Sequence, residues 1–276
     1  MEHLSFSVSM CLYWKDDPQY FETAILSIMN QSIIPSEIIL VVDGPIPNQL
    51  KNVIDKYRNN SLLKIIELKE NLGHGKARNI GLKNCSNDII ALMDSDDISV
   101  PTRFEKQLNI FNENPEISII GGNIYEFIDD PNNIIGCRNV PSLDSDIKSY
   151  MKKRCPFNQM SVMFKKCDVE NAGGYLDWYH NEDYYLWIRM ALLNYKFYNI
   201  SENLVYVRVG KEMYSRRGGR KYFVSEVKLQ NYMLKHKVIS FPTYISNVIK
   251  RLIIQIILPN SIRGFIFKKF ARRAVK

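Results

Sequence analysis

Between Ala91 and Ser99 the chain reads Ala-Leu-Met-Asp-Ser-Asp-Asp-Ile-Ser, so an apolar run ends on three carboxylates, Asp94, Asp96 and Asp97. Like charges this close raise one another's pKa and cost stability unless a positive charge sits among them. Two readings follow: a solvated loop that tolerates the repulsion, or a site for a cation. Oxygen-only ligands suit a hard divalent ion, Mg²⁺ or Mn²⁺, and suit zinc poorly. A calcium EF-hand is excluded, because Ile98 stands at its fifth loop position and Ser99 at its sixth, where a ligand and a glycine are needed. A divalent ion held by one or two carboxylates fills its remaining positions with water and substrate phosphates. The cluster therefore predicts a phosphate-bearing ligand with cations nearby. Lys76 and Arg78, in the glycine-rich stretch Asn71-Leu-Gly-His-Gly-Lys-Ala-Arg-Asn-Ile-Gly81, are candidates, although glycine-rich strand-to-helix turns are common. A second carboxylate pair, Glu182-Asp183, opens an amphipathic stretch. It reads either as a proton acceptor or as favourable charge at a helix N-terminus.

The elements that must carry these residues alternate regularly. Phe6 to Tyr13, Glu37 to Val42, Leu63 to Leu68, Ile89 to Met93 and Ile117 to Ile120 read as strands. Between them, Asp17-Pro18 caps a helix with Phe21, Ala24, Ile25, Ile28 and Met29 on one stripe. Leu50, Val53, Ile54 and Tyr57 mark a second helix, Gly75 to Asn84 a third, and Phe104, Leu108 and Phe111 a fourth, capped by Ser99. Later, Gln159 to Phe164 and Leu204 to Val209 read as strands and Glu182 to Asn194 as a helix. Such βα repetition predicts an α/β fold, a Rossmann-like open and mostly parallel sheet flanked by helices. Ligands bind such sheets beyond the carboxyl ends of the strands. Asp43 and the Asp94 cluster both fall at that edge, which favours the cation.

The order Asp43, "NLGHGKARNIGL", "ALMDSDD", "NEDYYLWIRM" resembles the family-2 glycosyltransferases with the GT-A fold, over about residues 5 to 220. The later "VRVGKEMYSRRGG" resembles the branch that builds O-antigen and capsule repeat units. The resemblance implies a UDP-sugar donor and a Mn²⁺ or Mg²⁺ cofactor. Asp94-Ser95-Asp96 matches the family's D-x-D motif, with Asp96 and Asp94 as metal ligands and Asp94 also facing the donor. Asp97 would support the cluster or touch the donor sugar. Arg78 matches an arginine near the donor pyrophosphate, and Lys76 accompanies it. Asp43 falls near the uracil-reading aspartate, although Val42-Asp43 replaces the usual pair of aspartates. Asp183 matches the general base, with Glu182 beside it. Arg216 and Arg217 could close over a pyrophosphate, or be an ordinary solvated charge run. His180, Trp178 and Tyr179 could touch metal or sugar, but surface histidine and packing aromatics are at least as common.

The net charge of +8 is uneven: from Lys211 onward there are 16 Lys and Arg against two acids. That basic portion, with apolar runs at 247–258 and 262–273, reads either as amphipathic helices attracted to an anionic membrane face or as C-terminal helices that cover the core and expose their charges; the former is favoured. The chain divides into a GT-A domain, 1–220, and a helical tail, 221–276. Leu252 to Pro259, the longest apolar stretch, is too short to cross a bilayer. Five cysteines without a C-x-x-C pair read as free thiols in a reducing compartment. The expectation is an inverting hexosyltransferase, glucose or galactose by a β-1,3 linkage. Its acceptor would be GlcNAc- or GalNAc-diphospho-undecaprenol at the cytoplasmic face of the inner membrane, with no nucleic-acid partner. The alternative is a non-enzymatic basic module binding polyanions or a membrane surface. A sugar-nucleotide pyrophosphorylase is set aside, because Tyr13-Trp-Lys-Asp-Asp17 replaces the glycine-rich loop it needs.

Overall fold

The computed structural model describes residues 4–210 and 218–259. Arg216, Arg217 and the apolar run at 262–273 lie outside them.

Six strand residues in a row, Glu37-Ile-Ile-Leu-Val-Val42, are buried on both faces, as a central parallel strand requires. Ile38, Leu40 and Val42 join one core, while Ile39 and Val41 join the other. Each fully buried side chain of this size contributes roughly 1.5–3 kcal/mol. The first third of the chain is β1 (Phe6–Leu12), α1 (Pro18–Met29), β2 (Glu37–Val42), α2 (Asn48–Tyr57), β3 (Leu63–Glu67), α3 (His74–Asn84) and β4 (Ile89–Met93). Then follow β5 (Ile98–Ser99), α4 (Arg103–Glu113), β6 (Ile117–Phe127), β7 (Ile134–Arg138) and α5 (Asp144–Met151). The remainder is β8 (Met163–Lys165), α6 (Lys166–Asn171), α7 (Glu182–Leu192), β9 (Lys196–Arg208), α8 (Arg220–Lys235) and α9 (Phe241–Leu252).

The sheet runs β3-β2-β1-β4-β8-β6-β9-β5, with β7 beside β6. Its first half is the parallel layer expected: β1 pairs with β2 and β4, and β2 with β3, all parallel. Beyond β4 the order turns mixed, because β8 enters antiparallel to both β4 and β6. Residues of α1, α2 and α4 fill the core on one face, and those of α3, α5, α7 and α8 fill the other.

Asp17 caps α1 as its sequence foretells, accepting from the amides of Gln19 and Tyr20. Ser99 is no cap. It lies in β5, paired with Val205, and α4 starts four residues later after Thr102. Gln159–Ser161 forms a 3₁₀ turn, leaving only Met163–Lys165 as strand. The fifth strand extends to Phe127 and the last begins at Lys196, together making a long parallel ribbon. Gly121 and Gly122 interrupt the apolar pattern there. A Cβ on Gly122 would stand 2.5 Å from Leu204 Cδ1, so close contact with β9 excludes a side chain. All five cysteines are free; Cys85 is buried and Cys167 exposed.

Candidate active site

Asp94, Asp96 and Asp97 follow directly on β4, whose five residues are all buried. The repulsion their spacing implies is offset by three arginines. Arg78 Nη2 donates to Asp94 Oδ1. The backbone amide of Arg208, at the end of β9, donates to Asp97 Oδ1 at 2.9 Å, and its Nε lies 3.4 Å from the Asp96 carbonyl. Beneath the loop, Arg103 is fully buried, with Nη2 on the carbonyls of Leu92 (2.8 Å) and Val162 (3.3 Å) and Nε on Gln107 Oε1 (3.0 Å). Burial lowers the Arg103 pKa to about 9, against the pull of Asp94 and Asp97. Asp97 is buried, and burial together with Asp96 and Asp94 drives its carboxyl well above the ordinary range. Asp96 is exposed.

Asp43 ends β2 and is 4% exposed. Its two carboxylate oxygens accept the amides of Leu72 (2.7 Å) and Gly73 (3.1 Å), and its carbonyl accepts Asn71 Nδ2 (3.0 Å). Asp43 thus ties the glycine-rich turn to the strand edge. The close approach needs Gly44, whose φ is 88° and whose Cβ would fall 2.6 Å from the Asn71 nitrogen. The turn opens α3 at the same edge, carrying His74 and Arg78. Lys76, also on α3, is exposed and stands apart from the Arg78 contacts.

Arg78 is 1% exposed and links both carboxylate pairs. Besides Asp94, it donates from Nε to His74 Nε2 at 3.0 Å, and His74 Nδ1 lies 3.0 Å from Glu182 Oε1. The imidazole tautomer protonated on Nδ1 satisfies both contacts. With its amide NH₂ turned toward α7, Gln159 donates to Asp183 Oδ2 at 3.1 Å, and its oxygen accepts Arg78 Nε at 3.1 Å. Burial, the largest single influence, opposes the charge on Arg78, but Asp94 together with Cys11, Tyr175 and Glu182 outweighs it and raises the pKa. Arg78 Nη1 is buried with no hydrogen-bond partner among the described residues.

Glu182 and Asp183 begin α7 and diverge. Burial pushes both up. In Glu182 the hydrogen bond from His74, with the Arg78 charge behind it, helps to overcome burial, and the pKa falls. Asp183 rises to about 6 from burial and then from the Glu182 charge, against the amide of Tyr184. An adjacent pair set apart in this way is a recurrent property of acid–base sites. Cys155 Sγ lies 3.9 Å from Asp183 Oδ2; burial and Asp183 raise its pKa, so it is no nucleophile at neutral pH.

Asp94 and Asp183 both line one cavity of about 510 Å³. Its wall also includes Gln159, His180 and Asn181, and the basic residues Lys153, Arg154, Lys250 and Arg251. His180 has φ +54°, a left-handed backbone rare outside glycine, and its ring packs against Tyr179 and Tyr222. Trp178 is a packing residue: its ring lies 4.3 Å from that of Tyr185, and its Nε1 donates to the Ser225 carbonyl.

The motif reading misses Asp16, His74, Arg103, Gln159 and Arg208. Asp16 follows β1 at the ligand edge and accepts Ser95 Oγ at 2.9 Å; burial, then Asp94, raises it to about 6. Its position after a strand was the available signal. Arg103 and Gln107 share the inward face with Phe104 and Leu108, and charge on a buried stripe is the clue there.

The sheet order and the carboxylates at its edge define the class: the fold is that of the GT-A glycosyltransferases. The chain belongs to glycosyl transferase family 2, whose pattern matches residues 7–168. It is 39% identical over 268 residues to UDP-Gal:alpha-D-GlcNAc-diphosphoundecaprenol beta-1,3-galactosyltransferase of Escherichia coli, covering 97% of each chain. It is 38% identical to the amylovoran biosynthesis glycosyltransferase AmsE of Erwinia amylovora, covering 86% of this chain and 88% of that one. The structure of S. aureus TarS 1–349 in complex with UDP-GlcNAc superposes with a TM-score of 0.65 at 17% identity, covering 91% of this chain and 73% of the other. The protein is therefore a glycosyltransferase, and the non-enzymatic alternative falls away.

Proposed function

We propose that this chain is an inverting hexosyltransferase. It moves galactose or glucose from a UDP-sugar, with β-1,3 linkage, to a GlcNAc- or GalNAc-diphospho-undecaprenol acceptor in repeat-unit assembly for O-antigen or capsule. The observation that carries the reading is one cavity in which Asp94 and Asp183 both open, tied together by Arg78. The donor and linkage come from the Escherichia coli relative's activity and the near end-to-end likeness to it.

Asp94 and Asp96 offer oxygen ligands of the kind Mn²⁺ or Mg²⁺ prefers. Among the described residues no group of three or more His, Cys, Asp or Glu is placed to hold a metal ion by itself. The buried, unpartnered Nη1 of Arg78 beside Asp94 fits a phosphate oxygen. A bound divalent ion there supplies Lewis-acid stabilisation of the departing diphosphate. Asp43, by fastening Leu72 and Gly73, shapes the same end of the donor site.

Asp183 takes the proton of the acceptor hydroxyl as its oxygen bonds to the anomeric carbon. The bond from that carbon to the phosphate oxygen breaks, and the electron pair leaves with UDP. One displacement inverts the anomeric centre through an oxocarbenium-like transition state. Glu182, held by His74, keeps a second negative charge beside Asp183 and so raises its basicity. Asp97 and Arg103 hold the loop that presents Asp94 and Asp96.

The outer face of α9 supports peripheral membrane attachment on the cytoplasmic side. Phe241, Ile245, Ile249, Leu252 and Ile253 are exposed at helical spacing and lead into exposed Ile256 and Ile257. The inner face is polar: Asn247 bonds Gln230 and the Lys152 carbonyl, and Arg251 pairs with Glu226. A helix with its apolar side outward fits a lipid interface flanked by basic residues. No helix of the described residues is long and apolar enough to cross a membrane.

The test is transfer from UDP-galactose and UDP-glucose, with Mn²⁺, to a synthetic GlcNAc-diphosphate-lipid, with the product linkage read by NMR. A β-1,3 disaccharide confirms the proposal; absence of transfer from every UDP-hexose to either N-acetylhexosamine acceptor overturns it.

A further inference from the structure

The cavity wall carries basic residues that the displacement does not use: Lys153, Arg154, Lys250 and Arg251. An acid beside them, Glu226, is already paired with Arg251. Arg251 also donates to the Asn247 carbonyl (3.3 Å) and to the Lys153 carbonyl (3.0 Å), so it fastens the 152–155 segment to α9. Lys153 and Lys250 are exposed, and their ammonium groups pair with no acid among the described residues. A cavity wall rich in cations, with this acid neutralised, selects an anion.

We infer that this basic wall, chiefly Lys153 and Lys250, is the binding site for the diphosphate of the lipid-linked acceptor. The inference rests on the proposed function and deepens it. Three placements support it. Cys155 Sγ lies 3.9 Å from Asp183 Oδ2, and Lys153, two residues before it and so at most about 7 Å away along the backbone, lines the same cavity. Next, Lys250 follows exposed Ile249 and precedes exposed Leu252 and Ile253, so a prenyl chain leaving the diphosphate meets the apolar face of α9. Finally, the donor diphosphate has its own cation in Arg78, which leaves the second basic group for a second diphosphate. The site thus reads a sugar carrying an anionic diphosphate followed by an apolar chain.

The test uses the full chain and the double substitution Lys153→Gln and Lys250→Gln, two exposed positions whose change leaves the packed core alone. A short-chain prenyl diphosphate is titrated calorimetrically into protein saturated with UDP and Mn²⁺. The wild type binds, and the double variant binds at least about tenfold more weakly while its UDP affinity stays the same. A Kd within twofold of wild type, or no binding by the wild type, overturns the inference. Kinetics give a second readout: the preference in kcat/KM for a GlcNAc-diphosphate-alkyl acceptor over GlcNAc-alkyl collapses in the variant. Retention of that preference means the site is wrong while the transfer reaction stands. Absence of transfer by wild type defeats the proposed function, and the calorimetric titration then still decides the diphosphate site. Flotation with anionic vesicles separates the two phosphate sources. A variant that loses vesicle binding but keeps prenyl diphosphate affinity shows that the lysines read lipid headgroups instead, which also overturns the inference.

Discussion

Two carboxylates, Glu37 buried at the amino end of a strand and Asp183 half-buried at the start of α7, are treated in opposite ways. Glu37 opens β2 at its amino end, where Ser7, Ser86 and Lys64 surround it with donors at 2.6–2.7 Å. Burial pushes its pKa up, yet these donors win and hold it at about 2. Asp183, at the cavity, meets burial and a second carboxylate and rises to about 6. One site neutralises its charge completely because it only holds strands together. The other leaves charge uncompensated, which costs stability and yields a base poised near neutral pH.

The largest effect that sharpens this contrast is on rate. Asp183→Asn removes the proton acceptor and should lower kcat by about 10²–10⁴-fold with UDP affinity unchanged. In the wild type, kcat/KM should rise as pH increases through about 6, where Asp183 loses its proton, and then level off. A rate unaffected by the substitution would break the comparison at its functional end.

Next in size is the structural site. Glu37 has a folded pKa below its unfolded value, so its contribution is fully present above about pH 4.5 and is lost as pH falls toward 2. The shift corresponds to about 3 kcal/mol. Glu37→Ala should therefore lower the unfolding free energy at pH 7 by that order, read from denaturant unfolding, while Mn²⁺-dependent UDP affinity stays the same.

The smaller effect has the reverse sign. Asp183 has a folded pKa above its unfolded value, so it favours the folded state below about pH 4 and loses that advantage as pH rises through about 6. Asp183→Asn should raise stability at pH 7 by about 1–3 kcal/mol, measured by urea unfolding. A variant that is both inactive and more stable would mark Asp183 as retained for chemistry; a destabilised one would make it a structural cap of α7.

Much of this was legible in the sequence, and for physical reasons. The run Glu37 to Val42 has the continuous apolar character that only a doubly covered strand tolerates, and Asp17-Pro18 is a cap with a local cause. Ligand-edge logic alone set the Asp94 cluster and Asp43 beside the glycine-rich turn. The partners that make the cluster tolerable were not legible. Arg208 reaches Asp97 from more than a hundred positions away, and Arg78 meets Gln159 only because β8 enters antiparallel beside β4. Gln159 itself read as strand, since Met160, Val162 and Phe164 alternate apolar character with it. The outward apolar face of α9 was visible as a mixture of bulky and basic residues. Its orientation depends on Asn247 and Arg251 finding polar partners in α8 and the 152–155 segment.

The donor site is tested most directly by calorimetric titration of UDP into wild type and Asp96→Ala, each with Mn²⁺ and with chelator. UDP binding that requires the metal in the wild type and vanishes in the variant is the predicted result. UDP binding that is indifferent to chelator, or that survives in Asp96→Ala, would contradict a donor site built on the carboxylates after β4.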